Sequence, residues 1–311
     1  MSGWTTMRSV GEKGVVKVRT RVLDKHSGLL LLFPTLVMLL LFFILPLVQI
    51  LIRSLTDPSL GLGNYVALFT DGITLKVLAR TLTVAMIVAL LTAILGFPYT
   101  YVMCHVTPTV RAIMFTVVLI PFWTSMLARN YAWYILMQRD GLFERVFSAV
   151  GIDGVVLLGT ATGVAIVMAG VMLPFMVLPM YSVMQQLDPK LMYASQNLGA
   201  SRKSTFWRVY LPLSMPGIIA GGSLVFILAL GFFITPALIG SPQNSLIAQL
   251  MAIRIQTLLA FGSAGAMGVL ILVVTLVVLT GGQRLSGKGL GALSRADAPG
   301  GSRAVEGGCE S

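Results

Sequence analysis

Apolar residues in this chain gather into six long charge-free runs. They are bounded by Lys25 and Arg53, Arg80 and Arg111, Arg111 and Arg129, Asp153 and Asp188, Arg208 and Arg254, and Arg254 and Arg284. About 20 apolar residues cross a bilayer, and a charge at its centre costs several kcal/mol. The pattern therefore predicts an all-α polytopic membrane protein with six transmembrane helices, near 29–52, 80–104, 111–129, 157–185, 214–238 and 262–282. The third is the shortest, and a continuation of its helix through Asn130 to Met137 stays open.

Three domains follow. Residues 1–27 form a basic leader, 28–284 the membrane domain, and 285–311 a Gly- and Ser-rich tail expected to lack fixed structure. Between spans, a short helix is expected after Gly63, a surface helix around Phe143, Val146 and Phe147, and another in LIAQLMAIRIQTLL.

One polar stretch, 186–212, carries repeated helix punctuation. Asp188 is a good N-cap and Pro189 suits the first helical position, where no N–H is needed. Gly199 stands where a helix end calls for positive φ, and Ser201 is placed to cap a second helix ending before Pro212. In the first helix Leu187, Leu191, Ala194 and Leu198 recur at helical spacing. That apolar face fits either another protein's groove or the chain's own span ends.

Composition agrees with burial in lipid, since 56% of the 311 residues are hydrophobic and only 11% charged, against about a quarter in soluble domains. The net charge of +11 is explained by topology. With the N-terminus inside, fifteen Lys and Arg fall on the cytoplasmic side and seven on the other, which is the positive-inside asymmetry. Both termini and the 186–212 loop are thereby placed in the cytoplasm. No basic stripe with interleaved aromatics points to nucleic acid. Cys104, Cys309, His26 and His105 make neither a disulfide framework nor a metal site. No catalytic residue set of Ser/His or Asp/Asp type falls within the spans. The segment GQRLSGKG at 282–289 follows a P-loop for seven positions but ends in Gly289 instead of Ser or Thr.

The spacing Tyr193, Ala194, Ser195, three residues, Gly199, nine residues, Val209, one residue, Leu211, Pro212 resembles the EAA loop of permease subunits in binding-protein-dependent ABC importers. Tyr193 replaces the family's glutamate, Ser195 an alanine and Val209 an isoleucine. The segments 121–143 and 173–191 resemble the polyamine (spermidine/putrescine) branch. The resemblance implies a type I importer permease fold in the bacterial inner membrane. It implies as partners a second related permease, two copies of a cytoplasmic ATPase that carry the ATP and Mg²⁺, and a periplasmic substrate-binding protein. It assigns ATPase coupling to Asp188, Leu191, Tyr193, Ala194, Ser195, Leu198, Gly199, Val209, Leu211 and Pro212, and leaves this chain without a cofactor of its own.

Other signals are read from the residues themselves. Pro174 and Pro179 in the fourth span mark a helix suited to line a moving path, and Arg129, Tyr131 and Trp133 are candidates for its outer mouth. Met168, Met172, Met176, Met180 and Met184 form a stripe expected to pack as core or against lipid. Gly217 with Gly221, and Ala264 with Gly268, have the small-xxx-small spacing of close helix contacts, one candidate for the partner-permease interface. An ion-coupled carrier or channel working without an ATPase is the alternative reading. It calls for ionisable residues at span centres or an inverted repeat, and neither is present.

Overall fold

The computed structural model describes residues 33–296, with side chains through 282. The leader at 1–27 and the tail beyond 296 lie outside the described residues. Within them every regular element is helical. The long helices are α1 (Phe33–Thr56), α3 (Gly72–His105), α7 (Ala161–Met184), α9 (Arg202–Leu230) and α12 (Phe261–Ala296). Between α1 and α3 lies α2 (Gly63–Thr70), the short helix expected after Gly63. The five long helices are apolar enough to cross a membrane, and a bent pair, α4 (Pro108–Trp123) and α5 (Met126–Met137), makes a sixth when taken as one span. The bend between Pro108–Trp123 and the stretch Met126–Ala149 is 97°. Helices α6 (Leu142–Ala149), α8 (Pro189–Asn197), α10 (Ile234–Ile239) and α11 (Ile247–Gln256) are connectors.

Several expected boundaries shift, each for a backbone reason. Helix α3 begins at Gly72 and not near 80, because Asp71 caps it by accepting from Ile73 N at 3.1 Å. The third span does not run straight into Met137. Thr124 and Ser125 are extended, and the Arg129 guanidinium donates to Pro121 O and to Thr124 O at 3.0 Å. Carbonyls at the end of α4 thus find a donor without the helix continuing. The fifth span ends at Leu230, short of 238. Pro236 sits instead in the first turn of α10, where a missing N–H leaves nothing unpaired. Helix α12 runs to Ala296, past the expected start of the unstructured tail at 285. Extending an existing helix costs far less than nucleating one, and no proline occurs between Pro242 and Pro299. The P-loop-like segment lies inside this helix, a geometry unlike a strand-to-helix phosphate loop.

Pro212 also fails to end the helix capped at Ser201. A proline cannot donate to the carbonyl four residues back, and its ring crowds that carbonyl. Phe206–Tyr210 widen into a π turn in which Leu211 N–H reaches Phe206 O. The helix then passes through Pro212 into the span. Pro46 in α1 is accommodated the same way, after a π turn at Leu40–Ile44.

Helix α7 is the centre of the bundle, held between α3 and α9. Its five-methionine stripe is core, each residue 0–2% exposed. Gly217 and Gly221 face this stripe. A Cβ on Gly221 would fall 2.8 Å from Met176 Sδ, and one on Gly217 3.0 Å from Val183 Cβ. Those two glycines are consumed by packing within the chain and are not free for a partner permease. Ala264 is likewise buried, and a Cβ on Gly268 would meet Met251 of α11 at 3.4 Å.

Candidate functional site

The 186–212 loop closes one end of the bundle. Asp188 Oδ1 accepts from Lys190 N at 2.9 Å and starts α8. Its end is a Schellman motif, with Gly199 N bonded to Gln196 O at 2.9 Å and Ala200 N to Ser195 O at 3.2 Å. Gly199 takes φ +85°, a conformation in which an L side chain is strained. Ser201 Oγ then accepts from Ser204 N at 3.3 Å and begins α9. All four punctuating residues act as their chemistry predicts.

The faces of α8 divide cleanly. Met192 and Ser195 turn inward, and the Ser195 hydroxyl meets that of buried Thr205 at 3.0 Å. Leu191, Tyr193, Ala194 and Leu198 are exposed, Leu198 at 90%. Of the expected apolar face, Leu187 packs on the chain's own core, whereas Leu191, Ala194 and Leu198 do not. Leaving Leu198 in water forgoes roughly 1.5–3 kcal/mol of burial, an exposure that a docking partner would remove. Val209 and Leu211 are half-buried in α9, and Pro212 is exposed.

Behind α8 lies an aromatic cluster that the sequence did not reveal. Phe97, Tyr101 and His105 descend the last turns of α3, and Phe206 and Tyr210 come from α9. Tyr101 meets Tyr210 edge-on at 5.1 Å and Phe206 at 6.0 Å, and Phe97 meets Phe206 at 5.9 Å. Offset and edge-on pairs add about 0.5–1.5 kcal/mol each beyond their burial, so the loop is pinned to the end of α3. The available signal was the i, i+4, i+8 spacing of 97, 101 and 105, with 206 and 210 also four apart. Between this cluster and α8 a cavity of about 570 Å³ opens.

The opposite end of the bundle is strapped by polar contacts. Asp71 accepts from Thr74 Oγ1 at 2.6 Å and pairs with Arg254 of α11 at 3.1 Å. The Thr74 hydroxyl, followed by the Ile73 amide, holds this carboxyl below its ordinary value. Arg80 donates to Gln243 O and Ser245 O, and Ile247 N donates to Thr81 Oγ1 at 2.9 Å. Buried Asn130 accepts from Thr235 at 2.7 Å and ties α5 to α10.

The residues considered for a translocation path are dispersed. Pro174 is buried and Pro179 half-buried in an unbroken α7. Arg129 lines a cavity of about 270 Å³ with Phe122, Phe175 and Phe232. Tyr131 is exposed and stacks on Tyr134 at 6.2 Å, whereas Trp133 turns inward onto Phe143 at 5.8 Å. The three side chains do not share one wall.

Comparison with known proteins bears on this arrangement. A family model described as "Binding-protein-dependent transport system inner membrane component" matches residues 16–291. The chain is 34% identical over 195 residues to the spermidine/putrescine transport system permease protein PotB of Escherichia coli (strain K12), covering 62% of this chain and 70% of that protein. It is 33% identical over 220 residues to the protein of that name from Haemophilus influenzae, covering 69% and 76%. A chain from the crystal structure of a bacterial ABC transporter involved in the import of the acidic polysaccharide alginate superimposes with a TM-score of 0.66. At 20% identity, over 85% of this chain and 96% of that one, the likeness is one of fold.

Proposed function

This chain belongs to the binding-protein-dependent transport system inner membrane components, and from that membership we propose that it is the polyamine-conducting permease subunit of an ATP-driven importer, coupled to its ATPase through 186–212. The reading as a permease of the inner membrane is common to the relatives. The substrate rests on the names of the PotB proteins, which share about a third of their residues with it. ATP hydrolysis is assigned to a separate cytoplasmic subunit, present twice, and substrate delivery to a periplasmic binding protein. A second, related permease would complete the path. No acidic side chain lies within the spans, so a passing polyamine would be met by aromatic faces and carbonyls, from this chain or its partner.

The observation that carries the coupling role is the exposed face of α8. A cytoplasmic orientation is supported by the Lys and Arg asymmetry between alternate loops. There Leu191, Ala194 and Leu198 present a small, apolar strip on a helix fixed at both ends. A rigid handle of this kind passes on a push that a flexible loop would absorb.

The test is co-purification and transport. Leu198→Glu should abolish retention of the ATPase subunits and binding-protein-dependent uptake while the chain remains folded, because the replaced side chain touches little of its own protein. Retention and uptake at wild-type levels would overturn the coupling role. Failure of the cognate binding protein to take any polyamine would remove the substrate assignment alone.

A further inference from the structure

Tyr193 stands where the loop pattern has a glutamate, and its ring helps to wall the 570 Å³ cavity behind α8. Tyr101, Phe206 and Tyr210 line the same space, Tyr101 edge-on to both and Phe206 stacked on Tyr210. Tyr210 is only 7% exposed, and its hydroxyl is buried without a hydrogen-bond partner. That hydroxyl has almost no accessible surface, so an occupant would meet the rings of the wall and not the Tyr210 oxygen. Asp188 also lines the cavity, its Oδ1 engaged in capping α8. The volume is within the range of small-ligand sites, roughly 300–1,000 Å³.

We propose that this cavity is a binding site for a small aliphatic ammonium ion, held among the aromatic residues Tyr101, Tyr193 and Phe206 and by Asp188, all of which line it. Aromatic rings attract a cation through their quadrupole, and the attraction grows when the cation is desolvated. A glutamate at 193 would offer a point charge and no face. Arg202 lines the cavity as well, and its charge opposes the ligand, which gives the proposal a second, oppositely signed handle. Because α3, α8 and α9 each supply part of the wall, an occupant joins the loop to the span ends. It would thereby report amine concentration on the loop's side to the coupling machinery. The cavity lies at the opposite end of the bundle from Arg129 and the polar straps. The inference rests on the function proposed above only for its choice of probe.

The experiment uses the purified permease pair with its ATPases, in lipid nanodiscs and without binding protein. Equilibrium dialysis measures radiolabelled putrescine and, separately, tetramethylammonium, with sodium chloride of matched ionic strength as control. Saturable binding is expected, weakened about tenfold or more by Tyr193→Ala, kept by Tyr193→Phe, and tightened by Arg202→Ala. Tyr193 is 66% exposed, so its substitution does not threaten folding. Absence of saturable binding, or binding indifferent to Tyr193→Ala and Arg202→Ala, overturns the proposal. So does binding that appears only when the ATPases are stripped away, since an ATPase side chain would then be the occupant. If the importer proves to carry another substrate while tetramethylammonium still binds through Tyr193, this site stands and the substrate assignment falls.

Discussion

Substituting Gly199 separates backbone strain from contact at the loop. Its φ of +85° sets up the Schellman bonds, yet a Cβ added there meets nothing within 4 Å. The penalty for Gly199→Ala is therefore conformational, about 1–2 kcal/mol for an L residue in the left-handed region. That is roughly a five- to thirtyfold loss in the population of the native turn. Asparagine tolerates this region better than other residues, so Gly199→Asn should fall between wild type and Ala. Gly199→Leu should match Ala, because the space around the site is open. Two readouts apply to the reconstituted complex: binding-protein-stimulated ATP hydrolysis, and amide hydrogen exchange at Gly199 and Ala200. Both should follow the order Gly, Asn, then Ala equal to Leu. A Leu variant far worse than Ala would show that the position is a contact, and unchanged exchange in Ala would show that no glycine is needed. Either result refutes the argument.

The Ser195 and Thr205 hydroxyls should be coupled. Ser195→Ala, leaving buried Thr205 unpaired, should cost about 1 kcal/mol more than the same change in a Thr205→Val background, read by thermal unfolding in detergent. Gly221→Ala forces a Cβ onto Met176 and should destabilise by about 1–3 kcal/mol, whereas Gly231→Ala, with nothing within 4 Å, should be near silent in the same assay. Asp71 titrates below its ordinary 3.8 in the folded protein, so its contribution to stability is present above that value and lost as pH falls through the depressed one. Thr74→Val removes the largest cause, and the acid-side fall in unfolding temperature should move up toward 3.8. A fall unmoved by the substitution would show that the Thr74 bond is not what holds the carboxyl down.

How much of this was legible in the sequence depends on the range of the interaction. Asp188, Pro189, Gly199 and Ser201 act through neighbours within four residues, and each was read correctly from its own chemistry. The spans were legible because exclusion of charge from lipid leaves long unbroken runs. Their ends were less so: Asp71 extends α3 toward the loop, and Arg129 satisfies α4's carbonyls from the next helix. Neither effect is visible in hydropathy. The use of Gly217 and Gly221 could not be decided either, since small-residue spacing is the same whether the facing helix belongs to this chain or another. The aromatic cluster joins residues more than a hundred positions apart, and only folding brings 97, 101 and 105 opposite 206 and 210.

The passage of α9 through Pro212 has a mechanical consequence. Had the proline ended the helix, the loop would hang from the span by a swivel. As one rod of 29 residues, α9 is geared to it. At about 1.5 Å per residue, the stretch from Pro212 to Leu230 makes an arm of about 27 Å. A rotation of about 5° at the π turn would then sweep Leu230 sideways by about 2 Å, close to the radius of a helix backbone. Gly221 lies along that arm, directly against Met176 of α7, so the swing is taken up where the two helices are in close contact, and α7 must move with it.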